Sequence, residues 1–197
     1  MDSYNALIYN VLIAMAFFVW FAFMIIKRAR NKSCIDAFET SLKDMDFEIT
    51  TRVVPYDFVH VSTSHRVGTW LGMWIDYKSN KITIRNSSKV TVPRIYTFSD
   101  LLDFELFEGG KNVYRGVSVG FGPFIGWTKE YVEGLEMKIV FGGNRGTSSY
   151  KLVLFCTKPI DRVMIGGNMK KSSELYRGVQ ECAETMVDEL RNIIQIR

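Results

Sequence analysis

The sequence predicts a mixed α+β, mainly β protein: an N-terminal transmembrane helix, then an antiparallel barrel of seven to eight short strands closed by a C-terminal amphipathic helix. Three observations carry this. Residues 6 to 26 hold no charged side chain, segments after residue 47 alternate apolar with polar positions, and residues 170 to 197 repeat apolar positions at steps of three and four.

The first element is ALIYNVLIAMAFFVWFAFMII, 21 residues in which Asn10 is the one strongly polar side chain. A helix of that length is about 31 Å long, which matches a hydrocarbon core of about 30 Å. Inside lipid every backbone amide needs a partner within its own segment, so a spanning segment is a helix. Tyr4 and Tyr9 fall near one interface and Trp20 near the other. A buried core helix of this length would carry a polar face, and residues 11 to 26 carry none. A signal peptide would start basic and end on small residues, whereas this run starts after MDSYN and exits into KRARNK.

Charge asymmetry sets the expected orientation. No Lys or Arg precedes the run, while Lys27, Arg28, Arg30 and Lys32 follow it directly. Such residues stay on the cytoplasmic side, so residues 1 to 5 form a short extracytoplasmic leader and the C-terminal domain is expected in the cytoplasm, at the cell membrane. The sequons at Asn31 and Asn86 are read as chance occurrences.

The chain carries 25 Lys and Arg against 21 Asp and Glu, a formal charge of +4. Four of those cations lie at the membrane junction, so residues 33 to 197 are close to neutral. A nucleic-acid binder needs a concentrated basic face, and none is predicted. Cys34, Cys156 and Cys182 are odd in number and widely spaced, as reduced thiols rather than a disulfide frame or zinc site would be. Residues 47 to 197 suffice for one core, hence one domain.

Between anchor and domain, residues 27 to 46 form a basic junction followed by a short amphipathic helix, with Ile35, Phe38, Leu42 and Met45 at helical spacing. Its acidic residues favour packing on the domain as much as lying along headgroups. Strands are then predicted from Phe47 to Val53 and at 58–62, 70–77, 81–85, 101–108, 112–117, 134–141 and 150–156, separated by turn residues such as Lys78-Ser79-Asn80 and Gly109-Gly110. At the C-terminus, Leu175, Val179, Cys182, Met186, Leu190 and Ile193 form one apolar stripe, with Ser172 or Ser173 as the cap. The stripe is expected to cover an open end of the barrel.

The stretch WIDYKSNKITIRN, followed by RIYTFSDLLDFELFEGGKNV, resembles the core of small bacterial pleckstrin-homology-like (PH-like) domains of uncharacterised function. The matching positions are Ile75, Asp76, Lys81, Ile95, Tyr96, Phe98, Ser99, Asp100, Leu101, Phe104, Glu105 and Leu106. The resemblance covers roughly residues 47 to 194, with its specific motifs confined to 74–113, and it implies a barrel closed by one C-terminal helix. It implies no particular ligand, because one fold hosts unrelated sites. The basic first hairpin of phosphoinositide-binding members has no counterpart at 47–62. The Ser99-Asp100 pair has a structural job as well, bonding nearby amides to turn the chain.

Chemistry is sparse. His60 and His65 are the only histidines, and no spacing brings further ligands or a nucleophile motif to them, so neither a metal site nor a cofactor is expected. VMIGGNMKKSS, at 163 to 173, places Met169 where a phosphate loop needs glycine, and reads as a turn with a helix cap. The loop GVSVGFGPFIGW, at 116 to 127, is uncharged and apolar. It either folds over the barrel or exposes Phe121, Phe124, Ile125 and Trp127 as a membrane or partner patch. The expected function is non-enzymatic: the lipid bilayer holds the chain through residues 6 to 26, and the domain binds a protein partner. A structural subunit of a membrane assembly, homo- or hetero-oligomeric, is the alternative, and an enzyme using His60 or His65 is a remote one.

Overall fold

The computed structural model describes residues 2–59, 71–86, 92–109, 111–115, 131–143, 146–156 and 169–197. Helix α1, Asp2–Lys43, is one continuous element of 42 residues, about 63 Å long at 1.5 Å per residue. The apolar run, the basic stretch and the short amphipathic segment are therefore successive turns of a single rod, where the sequence pattern predicts two helices. No Gly or Pro interrupts positions 2 to 43, so nothing in the backbone chemistry breaks it. It ends in a Schellman turn. The Asp46 amide donates to the Lys43 carbonyl and the Phe47 amide to the Leu42 carbonyl, both at 3.1 Å, with Asp46 in the left-handed region at φ 56°. Leu42 and Phe47 then meet in one buried cluster.

Strands β1 (Thr51–Val53), β2 (Gly72–Asp76), β3 (Lys81–Arg85) and β4 (Ile95–Thr97) follow. They form an antiparallel sheet in that order. Strands β5 (Leu101–Glu108), β6 (Lys111–Arg115), β7 (Tyr131–Val132), β8 (Gly134–Phe141), β9 (Ser148–Cys156) and β10 (Met169–Lys170) come next. The order β6-β5-β8-β9 gives a second antiparallel sheet, and β7 pairs with β10 in a separate two-stranded ladder. Among the described residues these ladders do not join into one closed barrel of seven to eight strands. Where β4 approaches the second sheet the contact is made by side chains: Tyr96 stacks on Phe141 with centroids 4.2 Å apart, and its hydroxyl lies 2.8 Å from that of Tyr150.

A second departure touches only the first residues of the strand expected at 58–62. Residues Pro55–Phe58 form a single helical turn, α2, because proline at the first position has its φ already set and lacks the amide a strand would use. Residues 60 to 62 lie outside the described residues.

Strands β2 and β3 serve two cores at once. Met73, Ile75, Ile82 and Ile84 join the main cluster with the second sheet and the C-terminal helix. On the opposite face Trp74 joins Ile35, Phe38, Leu42, Phe47 and Val54 under α1. All five residues of β2 are buried as a result. A strand covered on both faces loses the polar alternation of a half-exposed one, as GMWI shows.

Helix α3, Glu174–Ile196, opens on Ser173, whose side chain accepts a hydrogen bond from the Tyr176 amide at 3.2 Å. Val179, Cys182, Met186, Leu190 and Ile193 of the apolar stripe are fully buried. The helix touches β1 of the first sheet and β5, β8 and β9 of the second, which makes it the element that joins them. Gly178 permits its closest approach: a Cβ there would lie 2.4 Å from the Phe58 carbonyl oxygen of α2.

Asp76 holds the turn between β2 and β3. Its carboxylate accepts from the amides of Glu48 at 3.1 Å and Ser79 at 3.0 Å, and the residue is fully buried. Burial raises the carboxyl, but the hydrogen bonds from the Ser79 and Glu48 amides outweigh it, and the net direction is below the ordinary 3.8. A depressed folded value stabilises above the unfolded value and is lost as pH falls through the folded one. We therefore expect urea unfolding to show a stability loss below about pH 4 that is reduced in Asp76→Asn, and the variant to cost about 1–3 kcal/mol at pH 7. An unchanged acid limb in Asp76→Asn would remove Asp76 from that role.

Candidate functional site

The apolar turns of α1 are exposed among the described residues. Described side chains from Ile8 to Phe23 are all exposed, Phe18 to 75%. The stretch is long and apolar enough to cross a membrane. The basic junction follows on the same helix. Arg30 and Lys32 are exposed, whereas Arg28 reaches the domain: its Nε lies 3.4 Å from the Tyr56 hydroxyl and its guanidinium carbon 5.7 Å from that ring's centroid. The Lys27 side chain lies outside the described residues, though its backbone belongs to α1. Asn31, the first sequon asparagine, is buried.

From Asn31 onward α1 is clamped to the first sheet. Phe38 lies beside Trp74 with ring centroids 4.7 Å apart, and the Arg85 guanidinium covers the Phe38 ring at 5.3 Å. Arg85 also donates to the Cys34 carbonyl, an acceptor within α1 itself. Glu39 accepts from the Trp74 indole at 2.9 Å and from Arg52 at 3.0 Å. Arg52 in turn grips Asp57 with two nitrogens, at 2.9 and 3.0 Å. Lys81, at the other end of β3, donates to the Asp46 carbonyl at 3.3 Å. Helix and strand thus lie side by side, with Arg85 nearer the apolar turns and Lys81 farther from them.

A cleft of about 410 Å³ opens beside this clamp. Phe38, Ile84 and Asn86 line it from the α1 side, Val92, Pro93 and Arg94 from the chain leading into β4, and Ser148, Ser149 and Tyr150 from the start of β9. The Tyr96 hydroxyl, then that of Tyr150, hold the Arg94 guanidinium above its ordinary value. Its backbone is also held, because the Thr83 hydroxyl donates to the Arg94 carbonyl at 2.8 Å. Burial, then the Tyr96 hydroxyl, push the Tyr150 phenol up to about 12, so it remains a proton donor at neutral pH.

His60, His65, Phe121, Phe124, Ile125 and Trp127 lie outside the described residues. Among the described residues no group of three His, Cys, Asp or Glu side chains could hold a metal ion. Cys34, Cys156 and Cys182 are in no disulfide, and burial together with Asp57 and Glu181 pushes the Cys182 thiol up, away from reactivity. No protein-family model matches the chain, and no curated protein or solved structure matches it.

Sequence reasoning found the cations at the end of the apolar run and missed what fastens them. Glu39, Arg52, Trp74 and Arg85 are far apart in sequence, and no spacing links them. Arg94 lies between Pro93 and a short strand, with no local pattern to mark it. The one available signal was the cluster of polar aromatics, Tyr96 and Tyr150, at the two strands that meet.

Proposed function

We propose that this chain is a single-pass membrane protein that holds a PH-like, non-enzymatic binding domain at the cytoplasmic face of the cell membrane, where it engages a protein partner. The observation that carries the reading is that the exposed apolar turns and the docked turns of α1 are one helix. The domain is joined to its anchor without a flexible linker, so its orientation to the bilayer is set along with its location. Confinement to a thin layer raises its effective concentration for neighbours, which is the physical value of an anchor to a binding module. The basic junction supports the cytoplasmic placement.

What supports the PH-like assignment is the order of elements, two antiparallel sheets over one core followed by a single amphipathic helix, and the places taken by the motif residues. Ile75, Asp76 and Lys81 lie at the β2–β3 turn, Ile95 and Tyr96 in β4, and Phe98 to Asp100 in a 3-10 turn. Leu101, Phe104, Glu105 and Leu106 run along β5. The Asp100 carboxylate accepts from the Thr97 amide at 2.8 Å, the turning role its sequence context implies.

Two measurements on the full chain test the reading. A C-terminal tag should resist protease added to sealed cells and become cleavable after permeabilisation, and a protein should copurify in mild detergent. Cleavage in sealed cells overturns the placement. Loss of the copurified protein in the Phe121→Ser, Trp127→Ser double variant would assign the contact to the 116–127 loop, and retention would assign it elsewhere on the domain.

A further inference from the structure

We propose that this chain forms a parallel homodimer through its spanning helix, with the Asn10 side chains of two copies hydrogen-bonded to each other inside the bilayer. The proposal rests on the membrane-spanning reading of α1.

Asn10 is the one strongly polar side chain between residues 6 and 26, and it is exposed on α1. Its amide group carries two donors and an acceptor oxygen, and hydrocarbon offers a partner to none of them. Among the described residues nothing hydrogen-bonds to that side chain. With Ala6 at the hydrocarbon boundary, Asn10 lies about 6 Å inside it. A long amphipathic side chain such as that of Tyr9 reaches back to the headgroups from this depth, and the short amide does not.

What answers an amide is another amide, because each donates and accepts at once. A second copy of this chain supplies one at the matching depth. The basic border gives every copy the same orientation, so two parallel helices bring Asn10 opposite Asn10. A different membrane protein would need a polar group at that depth by coincidence. A two-fold axis makes the two bonds equivalent, each Asn10 donating to the other.

The surroundings permit the approach. Ala14, one turn farther along the same face, is exposed and small, and small side chains let helix backbones come close enough for short amides to meet. The described side chains from Ile8 to Phe23 are exposed, so no part of the domain covers this face. Docking begins at Asn31, about 31 Å farther along the helix. Helices that cross near Asn10 and Ala14 at about 20–40° have moved apart by roughly 11–21 Å at that point. That exceeds the Debye length of about 8 Å, so the two basic borders do not oppose the contact.

The test uses the full chain with a donor or an acceptor fluorophore at its C-terminus, mixed in phosphatidylcholine vesicles, and reads energy transfer as the chain is diluted in lipid. Wild type is expected to show transfer that rises linearly with acceptor fraction, as a dimer's does, and that unlabelled wild type competes away. Asn10→Leu should lower the association constant about ten-fold, for the loss of two interhelical hydrogen bonds. Asn10→Gln keeps the amide and should stay within about three-fold of wild type, while Ala14→Leu should weaken association by holding the helices apart. A monomeric wild type, the result if Asn10 meets a different membrane protein, overturns the proposal. So does an Asn10→Leu variant that associates like wild type, or an Asn10→Gln variant as weak as Asn10→Leu. Alkaline carbonate extraction keeps the two readings apart: chains that pellet with the membrane yet do not associate sink the dimer alone, whereas wild type in the supernatant removes the spanning helix and the dimer with it.

Discussion

Replacing Trp74 with alanine is expected to destabilise the domain by about 3–5 kcal/mol, the cost of emptying a large buried aromatic site. Trp74 is fully buried, and it closes the second cluster from below as Phe38 and Leu42 close it from α1. The loss is not confined to apolar area. Its indole N–H is a donor to Glu39, so the variant also leaves that carboxylate with one partner fewer. Gly72 reinforces the point, since a Cβ there would lie 2.9 Å from the Trp74 ring and 2.8 Å from Val54, and the backbone is built around the indole. Thermal unfolding of the detergent-solubilised chain should show a midpoint lower by roughly 10 °C. Hydrogen exchange should show residues 31–46 opening ahead of the main core, because the two apolar clusters are separate. Trp74→Phe keeps most of the volume and loses the hydrogen bond, for which about 1.5–3 kcal/mol is expected. If Trp74→Ala left both the midpoint and exchange at 31–46 unchanged, the clamp would have no energetic content.

The largest effect on location is expected from two aspartates in the middle of the apolar run. Ala16→Asp with Phe17→Asp should oppose insertion by about 5–7 kcal/mol, from roughly 2.5–3.5 for each carboxylate near a helix centre. That is enough to move the chain from the carbonate-resistant membrane pellet to the supernatant. The same double variant should leave the domain's unfolding transition in place, because the described side chains around Ala16 and Phe17 are exposed and join neither apolar cluster. A variant that still pellets would refute membrane insertion, and one that lost its domain transition would refute the independence of the two parts.

The elements were legible in the sequence to different degrees, and the differences have physical causes. The strands at 81–85, 101–108 and 134–141 stand where the alternation of apolar and polar residues puts them, because each has a neighbour on both edges and a pattern long enough to read. Phe58, expected to open a strand of similar pattern, instead ends the helical turn that Pro55 starts. Strands β7 and β10, two residues each, are too short to carry any period. The barrel expectation failed to anticipate separate sheets for a related reason: strand order and closure depend on pairings between distant residues, and alternation reports only that a strand has an inside and an outside.

The candidate site divides in the same way. Lys27, Arg28, Arg30 and Lys32 stand out because charge at the end of an apolar run is a local property. The cleft does not, since Phe38, Arg94 and Ser149 come together only when α1, β4 and β9 pack. Arg28 shows the boundary: composition marks it as a junction cation, while its contact with Tyr56 is visible only in the folded chain.

By itself, then, the sequence determined the long apolar helix, its basic border, the antiparallel character of the rest and the buried stripe of α3. Each of those depends on solvent preference and period, which neighbouring residues encode among themselves. Tertiary structure alone decided that α1 passes without a break from its exposed turns into a clamp on Trp74, and that an arginine and three hydroxyls share one cleft. Glu39 and Trp74 are 35 positions apart and Tyr96 and Tyr150 are 54 apart, and no local pattern carries the geometry by which such residues meet.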